Sequence, residues 1–209
     1  MKRAFDIVVS LAALVLIFPL LLLVSIIIKM DSPGPIFFRQ ERMGRRFHPF
    51  FIYKFRTMIQ DAPWKGRTIT VGNDPRITRS GRLLRATKVD ELPQLFNVLK
   101  GEMSFVGPRP EVREFVELFR DDYKEILKIR PGITDLASLK YRDEALILGQ
   151  SKNPQEDYVK LVLPDKINLA KEYLNRSSFL FDLLLIFKTF RKLFVLRNRL
   201  MEEPIHENH

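Results

Sequence analysis

The sequence predicts an α+β chain: a mainly helical, membrane-associated domain with a small antiparallel sheet element. Three observations carry this. Ile7–Ile28 is apolar apart from Ser10 and Ser25. Two extended stretches, Ile36–Arg42 and Phe47–Met58, flank Met43-Gly44-Arg45-Arg46 and read as a hairpin. Beyond them, Glu111–Ile129 and Ser178–Arg199 show helical amphipathic spacing.

Composition narrows the function. The 209 residues carry 35 Lys and Arg against 25 Asp and Glu, a net charge of +10. Such an excess suits an anionic partner: nucleic acid, an anionic lipid surface or a phosphorylated substrate. There is no cysteine, which excludes disulfides and thiolate metal sites. His48, His206 and His209 are scattered and form no zinc-ligand pattern. Nothing resembles a nucleic-acid-binding module, and an apolar anchor argues against one.

Roughly 22 residues from Ile7 to Ile28 make about 33 Å of helix, enough to cross a bilayer core. Asp31-Ser32-Pro33-Gly34-Pro35 is a helix stop and not a small-residue cleavage site. Pro19 lies mid-run, removes the bond to the Val15 carbonyl and predicts a kink. Both flanks are basic, Lys2 and Arg3 before, Lys29, Arg39, Arg42, Arg45 and Arg46 after, and basic flanks favour the cytoplasm. The residues alone leave two forms open, a kinked span and a helix bent at Phe18-Pro19 with both flanks on one side.

In the second strand, alternation places Phe51, Tyr53 and Phe55 on one face and Ile52, Lys54 and Arg56 on the other. A half-buried strand with solvated cations explains this, as does a pair of cations aimed at an anion. Asp61–Ser80 is rich in Gly and Pro and reads as a long loop. A short helix starts at Gly81–Leu84. Asp90–Leu99 reads as a helix with Leu92, Leu95, Phe96 and Leu99 on one face, ended by Gly101. Glu111–Ile129 reads as one amphipathic helix ended by Arg130-Pro131-Gly132, and Leu136–Tyr141 as a strand. Helices follow at Asp143–Gly149, Pro154–Leu163 and Asp165–Asn175. Ser178–Arg199 joins a broad Leu and Phe face to Lys188, Arg191, Lys192, Arg197 and Arg199. That pattern fits an interfacial helix, or equally a core helix with a solvated edge.

The chemistry centres on Asp90-Glu91, with Arg82, Arg85 and Arg109 on either side in sequence. Helix-start duty explains both acids: Asp is a preferred N-cap, Thr87 to Asp90 has capping-box spacing, and Glu91 suits the helix dipole. A phosphate-handling reading also fits. A carboxylate kept ionised at a helix start can attack a phosphoryl group, while arginines and magnesium stabilise the charge on its oxygens.

Several ordered runs resemble the bacterial sugar transferases, the monotopic phosphoglycosyl transferases. They are Lys54-Phe55-Arg56-Thr57-Met58, Asp74-Pro75-Arg76-Ile77-Thr78, Asp90-Glu91-Leu92-Pro93-Gln94-Leu95, Asn97-Val98-Leu99-Lys100-Gly101, Met103-Ser104-Phe105-Val106-Gly107-Pro108-Arg109-Pro110 and Arg130-Pro131-Gly132-Ile133-Thr134. The resemblance extends from Lys2 to about Phe194. It implies an enzyme of the inner membrane, working on the cytoplasmic face, that moves sugar 1-phosphate from a nucleotide-sugar, usually a UDP-sugar, to undecaprenyl phosphate. This would open polysaccharide or glycoconjugate synthesis.

The resemblance also implies site roles. Asp90 is the nucleophile, forming a covalent phospho-sugar intermediate, and Glu91 serves a Mg²⁺ site. The residue chemistry itself, rather than the resemblance, puts Arg85, Arg109, Lys54 and Arg56 forward as substrate-binding cations. A re-entrant N-terminal helix breaks at Phe18-Pro19. The implied division is 1–30 re-entrant membrane helix, 31–200 cytoplasmic catalytic domain with interfacial helices, and 201–209 polar tail. Membrane lipid is a partner, nucleic acid is not, and a homo-oligomer stays open. Three positions and one stretch depart from the usual pattern: Phe18 for Ser, Lys88 for Ser, Ala170 for Asp, and Asp135-Leu136-Ala137-Ser138 for Gly-Trp-Ala-Gln. The sugar is left unspecified.

Overall fold

Helix α1, Lys2–Asp31, is the apolar run of the sequence, with Pro19 inside it. Only 17% of its most apolar stretch is buried, so it is not the core helix of a soluble domain. Leu16, Phe18, Leu22 and Leu23 face outward, an apolar surface that water does not tolerate at this size. The computed structural model describes residues 1–60, 71 and 74–202, with side chains up to residue 192.

Both ends of α1 are fastened to the same body. At its start, Lys2 Nζ donates to the Val106 carbonyl at 2.8 Å and to Tyr173 Oη at 2.9 Å. Arg3 donates to the carbonyls of Val98 and Leu99 at 2.5 and 2.9 Å. At its end, Val24 and Ile28 pack with Phe55 and Leu84, and Asp31 accepts from the Ser80 amide at 2.9 Å. Straight, 30 residues would reach about 45 Å. The exposed middle lies between two anchored ends.

Strands β1, Phe37–Met43, and β2, Pro49–Phe55, form the expected antiparallel hairpin, in register from Phe37 opposite Phe55 to Met43 opposite Pro49. A tight turn, Arg45–Phe47, closes it. The two faces of β2 are not simply buried and solvated, for Phe55 of the aromatic face is buried. Phe50 and Ile52 pack with Val98 and Met103, while Phe51 is 54% exposed. The hairpin lies on Met103 and the following helix, and that contact selects the Ile52 side. Of the expected loop, residues 61–70, 72 and 73 lie outside the described residues, including Pro63 and Gly66; Met58 bridges to Ile77 across it.

Helix α2, Arg79–Thr87, is capped by Thr78, whose hydroxyl accepts from the Gly81 amide. It ends at Lys88 in the left-handed region, φ 60°. The helix expected over Asp90–Leu99 divides into a 3-10 turn, Val89–Glu91, and α3, Gln94–Lys100, which stops at Gly101 with φ 85°. Strand β3, Ser104–Val106, pairs in parallel with β4, Gly132–Thr134, a second sheet element missing from the sequence reading.

Glu111–Ile129 is two helices, not one. α4, Arg113–Leu118, and α5, Arg120–Ile126, meet at Phe119 with φ −122° and ψ 40°. The apolar periodicity survives the break because Phe115, Val116, Tyr123 and Ile126 all enter one core. The strand expected at Leu136–Tyr141 is helix α6, Leu136–Lys140, because Asp135 and Ser138 form a capping box. α7, Glu144–Gly149, and α8, Pro154–Asp157, follow. A π turn at Tyr158–Val162 leads into α9, Leu163–Arg176. Leu148, Tyr158, Val162, Leu163 and Ile167 complete the largest core.

Helix α10, Phe179–Glu202, takes in Met201 and Glu202, the start of the expected polar tail; 203–209 lie outside the described residues. It buries Asp182 and Leu185 but leaves Leu180 at 77% and Phe187 at 64% exposure. That outward apolar face is not the pattern of a core helix. Phe179 meets Phe5 edge-on at 5.4 Å, which makes the outer surfaces of α1 and α10 neighbours.

Candidate active site

The dyad sits where three connections converge: the end of α2, the tail of β2 and the turn after β3. Lys88, left-handed, reverses the chain so that Val89–Glu91 turns back beneath β2. Asp90 is then not a helix cap. Pro93 occupies the N-cap of α3, and the Thr87 hydroxyl donates backwards to the Leu83 carbonyl at 2.8 Å. The helix-start explanation of Asp90 therefore falls. The residue is 7% exposed, its side chain forms no hydrogen bond or ion pair among the described residues, and Oδ1 is buried without a partner there. A buried, unpartnered carboxylate oxygen is costly and calls for a reason.

Glu91 is the opposite case. Lys54 Nζ lies 2.7 Å and Arg109 Nη2 2.5 Å from Oε1, and Arg109 Nη1 lies 3.4 Å from Oε2. The adjacent acids accordingly diverge. Burial pushes the Asp90 carboxyl above the ordinary range, with Lys54 opposing and Glu91 reinforcing the rise. Burial acts on Glu91 too, but Arg109 and then Lys54 hold it well below the usual range. Burial draws Lys54 down against the pull of Glu91, while Glu91 drives Arg109 up. Adjacent groups whose environments push them apart suit different tasks.

The four expected binding cations separate. Lys54 and Arg109 hold Glu91. Arg85 sits beside Asp90, its Nε donating to Thr57 Oγ1 at 2.8 Å; burial lowers its pKa and Asp90 opposes. Arg56 is not brought to the dyad. It turns to the end of α1 and donates to the Pro33 carbonyl, to the Ser32 carbonyl at 2.7 Å and to Ser32 Oγ at 3.0 Å. The reason is geometric: β2 ends at Phe55, so Arg56 no longer follows the alternation that aims Lys54. Its guanidinium takes up the carbonyls of the turn that follows the helix. Phe18 and Pro19 lie within α1, between its anchored ends.

Three further residues shape the site. Asp135 accepts from the Arg109 amide at 3.0 Å and caps α6 through the Ser138 amide. Asp-x-x-Ser spacing was the legible signal for the cap; the reach to Arg109 has none. Asn97 bridges the Tyr53 amide and the Phe51 carbonyl at 3.0 and 2.8 Å, locking α3 to β2. Gln94, 1% exposed, has neither amide atom partnered. The Arg109 turn is held by paired strands at van der Waals limits: a Cβ on Gly132 would stand 2.1 Å from the Gly107 nitrogen.

Residues 1–196 match the family model described as bacterial sugar transferase. Among relatives, the UDP-N-acetylgalactosamine-undecaprenyl-phosphate N-acetylgalactosaminephosphotransferase of Aeromonas hydrophila is 38% identical over 195 residues, 91% of this chain and 43% of that protein. The UDP-glucose:undecaprenyl-phosphate glucose-1-phosphate transferase of Escherichia coli is 38% identical over 199 residues, 93% of this chain and 40% of that protein. The exopolysaccharide production protein PSS of Rhizobium leguminosarum is 48% identical over 147 residues, 67% of this chain and 74% of that protein. The chain thus spans about two-fifths of the Aeromonas and Escherichia relatives and most of the Rhizobium one.

Proposed function

The chain belongs to the bacterial sugar transferase family, and from that premise we propose that it transfers sugar 1-phosphate from a nucleotide-sugar, a UDP-sugar, to undecaprenyl phosphate at the membrane. Two relatives are named for sugar-phosphate transfer to undecaprenyl phosphate from UDP-sugars. The observation that carries the reading is the Asp90 carboxylate: buried, without a partner among the described residues, and beside Lys54, Arg85 and the Glu91–Arg109 pair.

In this mechanism an Asp90 oxygen attacks the sugar-bearing phosphorus of the donor. The bond to the nucleoside monophosphate breaks, and that phosphate leaves with the electron pair. Asp90 then carries the phospho-sugar as a mixed anhydride. The phosphate of the acceptor attacks the same phosphorus, and the carboxylate returns as leaving group. Arg85, Arg109 and Lys54 neutralise charge on the phosphoryl oxygens during both steps. Glu91 holds two of these cations in place. Arg56 contributes by fixing the end of α1, not by touching substrate.

Magnesium is normally held by one or two carboxylates, with phosphate oxygens and water completing its shell. Asp90 and Glu91 meet that modest requirement, and the free Asp90 Oδ1 suits a donor atom, so the residues fit. Glu91 would hold the ion in exchange for part of its contact with Lys54 or Arg109. Bound there, the ion would offset the negative charge of the donor diphosphate.

We read α1 as re-entrant, with both basic flanks on the cytoplasmic face. Support comes from the fastening of Lys2 and Arg3 at one end, and of Ile28 and Asp31 at the other, to one body. The outward Leu and Phe surfaces of α1 and α10 would lie in lipid. The test is direct. Purified protein given a UDP-sugar and undecaprenyl phosphate should release UMP, and the UDP-sugar alone should leave a phospho-sugar adduct on the intact chain by mass spectrometry. Asp90→Asn should abolish both; full turnover in that variant would remove Asp90 from the mechanism.

A further inference from the structure

A basic cavity lies at the opposite end of α3 from the dyad. Its volume is about 340 Å³, and its walls come from the hairpin turn, the stop of α3 and Arg130. The cations Arg45, Arg46, Lys100 and Arg130 line it, with His48 beside them. Glu102 is the single acid of the lining, and its carboxylate accepts from Asn97 Nδ2 at 2.7 Å.

None of the four cations is in an ion pair with a described residue. Arg45 donates to the Lys128 carbonyl at 2.9 Å, Arg130 to the Gly101 carbonyl at 2.7 Å and Lys100 to Tyr53 Oη at 2.7 Å. All three acceptors are neutral. Arg46 makes no side-chain bond to a described residue. Elsewhere in the fold, cations are matched by acids: Lys54 and Arg109 by Glu91, Lys166 by Glu144, Lys171 by Asp122. Four cations against the one carboxylate of Glu102 leave an excess of positive charge that a bound anion stabilises, and arginine donors favour a planar or tetrahedral oxyanion.

The backbone of the turn points the same way. Arg46 and Phe47 stand at φ 57° and 61°, a conformation that bulky residues avoid. It is held by the Arg46 amide on the Leu127 carbonyl at 2.7 Å and by the Phe47 amide on the Gly44 carbonyl at 3.2 Å. Strain of this kind persists where a turn must present particular side chains, and here it lines the cavity with Arg46.

Location selects the ligand. Gly101 forms one wall, and the Arg3 guanidinium lies against it, 3.2 Å from where a Cβ would be. Arg3 belongs to the first turn of α1, so the cavity opens beside the point where the apolar helix meets the body. We propose that this cavity is an anion site for a phosphate monoanion or phosphodiester, filled by the glycerophosphate headgroup of an anionic membrane lipid. The proposal rests on α1 being membrane-embedded, but not on the transfer chemistry assigned to Asp90.

The test is calorimetric titration of the full chain in neutral detergent with dioctanoyl phosphatidylglycerol, dioctanoyl phosphatidylcholine and inorganic phosphate. Arg46→Asn keeps a residue that accepts left-handed backbone, and Lys100→Gln lies on the surface; each is made singly and together. Lys124→Gln with Lys152→Gln matches the lost charge elsewhere. Each lost charge-assisted bond should weaken the anion by about tenfold. Phosphatidylglycerol binding that falls in the cavity variants but not in the control, with phosphatidylcholine silent, supports the headgroup. Inorganic phosphate binding as tightly and falling in the same variants keeps the site and assigns it to free phosphate. Equal binding by parent and cavity variants overturns the proposal, because any signal then belongs to the dyad or to the apolar surface. UMP release read in parallel separates this outcome from failure of the assigned reaction.

Discussion

Arg109 holds Glu91 through both carboxylate oxygens, Nη2 at 2.5 Å from Oε1 and Nη1 at 3.4 Å from Oε2. Lys54 shares Oε1 at 2.7 Å. Glu91→Gln removes the one negative charge that keeps two cations together. The expected loss is about 2–3 kcal/mol of stability, below that of a fully buried pair because Lys54 and Arg109 keep 20% and 29% side-chain exposure. The folded Glu91 carboxyl is depressed, so its contribution is complete above the unfolded value of about 4.3 and disappears as pH falls through the lower folded value. Urea unfolding of parent and variant at pH 7 and pH 3.5 reads this. A gap that does not narrow in acid would refute the ion-pair account.

Asp90→Asn should separate stability from activity. The Asp90 carboxyl is raised by burial, so its stabilising preference is complete below about pH 3.9 and lost as pH rises through the folded value. Asparagine does not titrate there. At pH 8 the inactive variant is expected to be as stable as the parent or about 1 kcal/mol more stable, since a buried unpartnered charge is gone. Thermal unfolding at pH 5 and pH 8 checks it. A large destabilisation at pH 8 would mean that Asp90 has a structural partner.

Asp182 ties the first turn of α1 to α10. It lies 2.7 Å from Lys2 Nζ and accepts from Tyr173 Oη at 2.6 Å. Asp182→Asn should cost about 1–2 kcal/mol, because one hydrogen bond to Tyr173 can survive while the charge does not. Tyr173→Phe combined with it should add less than its single effect, as partners in one network do. Strict additivity in urea unfolding would argue against a shared network.

Gly132→Ala forces a Cβ to within 2.1 Å of the Gly107 nitrogen and 2.7 Å of the Val106 carbonyl carbon. Backbone must part, and the turn carrying Arg109 moves with it. A loss of about 2 kcal/mol or more is expected. The fall in UMP release should exceed that caused by an equally destabilising change in the α4–α9 core, such as Val116→Ala.

The chain has no cysteine, so single cysteines at Ala4 and Lys29 report topology cleanly. In spheroplasts, neither should react with an impermeant maleimide until the cells are opened. Labelling of one but not the other before opening would show a straight span and reject the re-entrant reading.

The hairpin was legible because period-two patterning and a Gly-Arg-Arg turn are local signals. So was the dyad as a pair of acids among arginines. The fate of each acid was not. Thr87 and Asp90 have capping spacing, yet Lys88 adopts φ 60° and spoils the cap. Lys54 and Arg56 share a face by alternation, yet only Lys54 reaches Glu91, because the strand ends between them. Glu111–Ile129 kept its apolar period across a break at Phe119, since period reports which side is buried and not whether the backbone is continuous.

By itself the sequence determined the apolar anchor, the basic balance, the hairpin and the residues from which a phosphate-handling site could be built. These depend on composition and on spacings of a few residues. The tertiary structure decided which carboxylate is paired and which is free, because Arg109, Lys54 and Arg85 approach the dyad from β3, β2 and α2. It also decided that both ends of α1 rest on one body. Charge pairing and desolvation act over a few ångströms in space, and neither is written in the spacing along the chain.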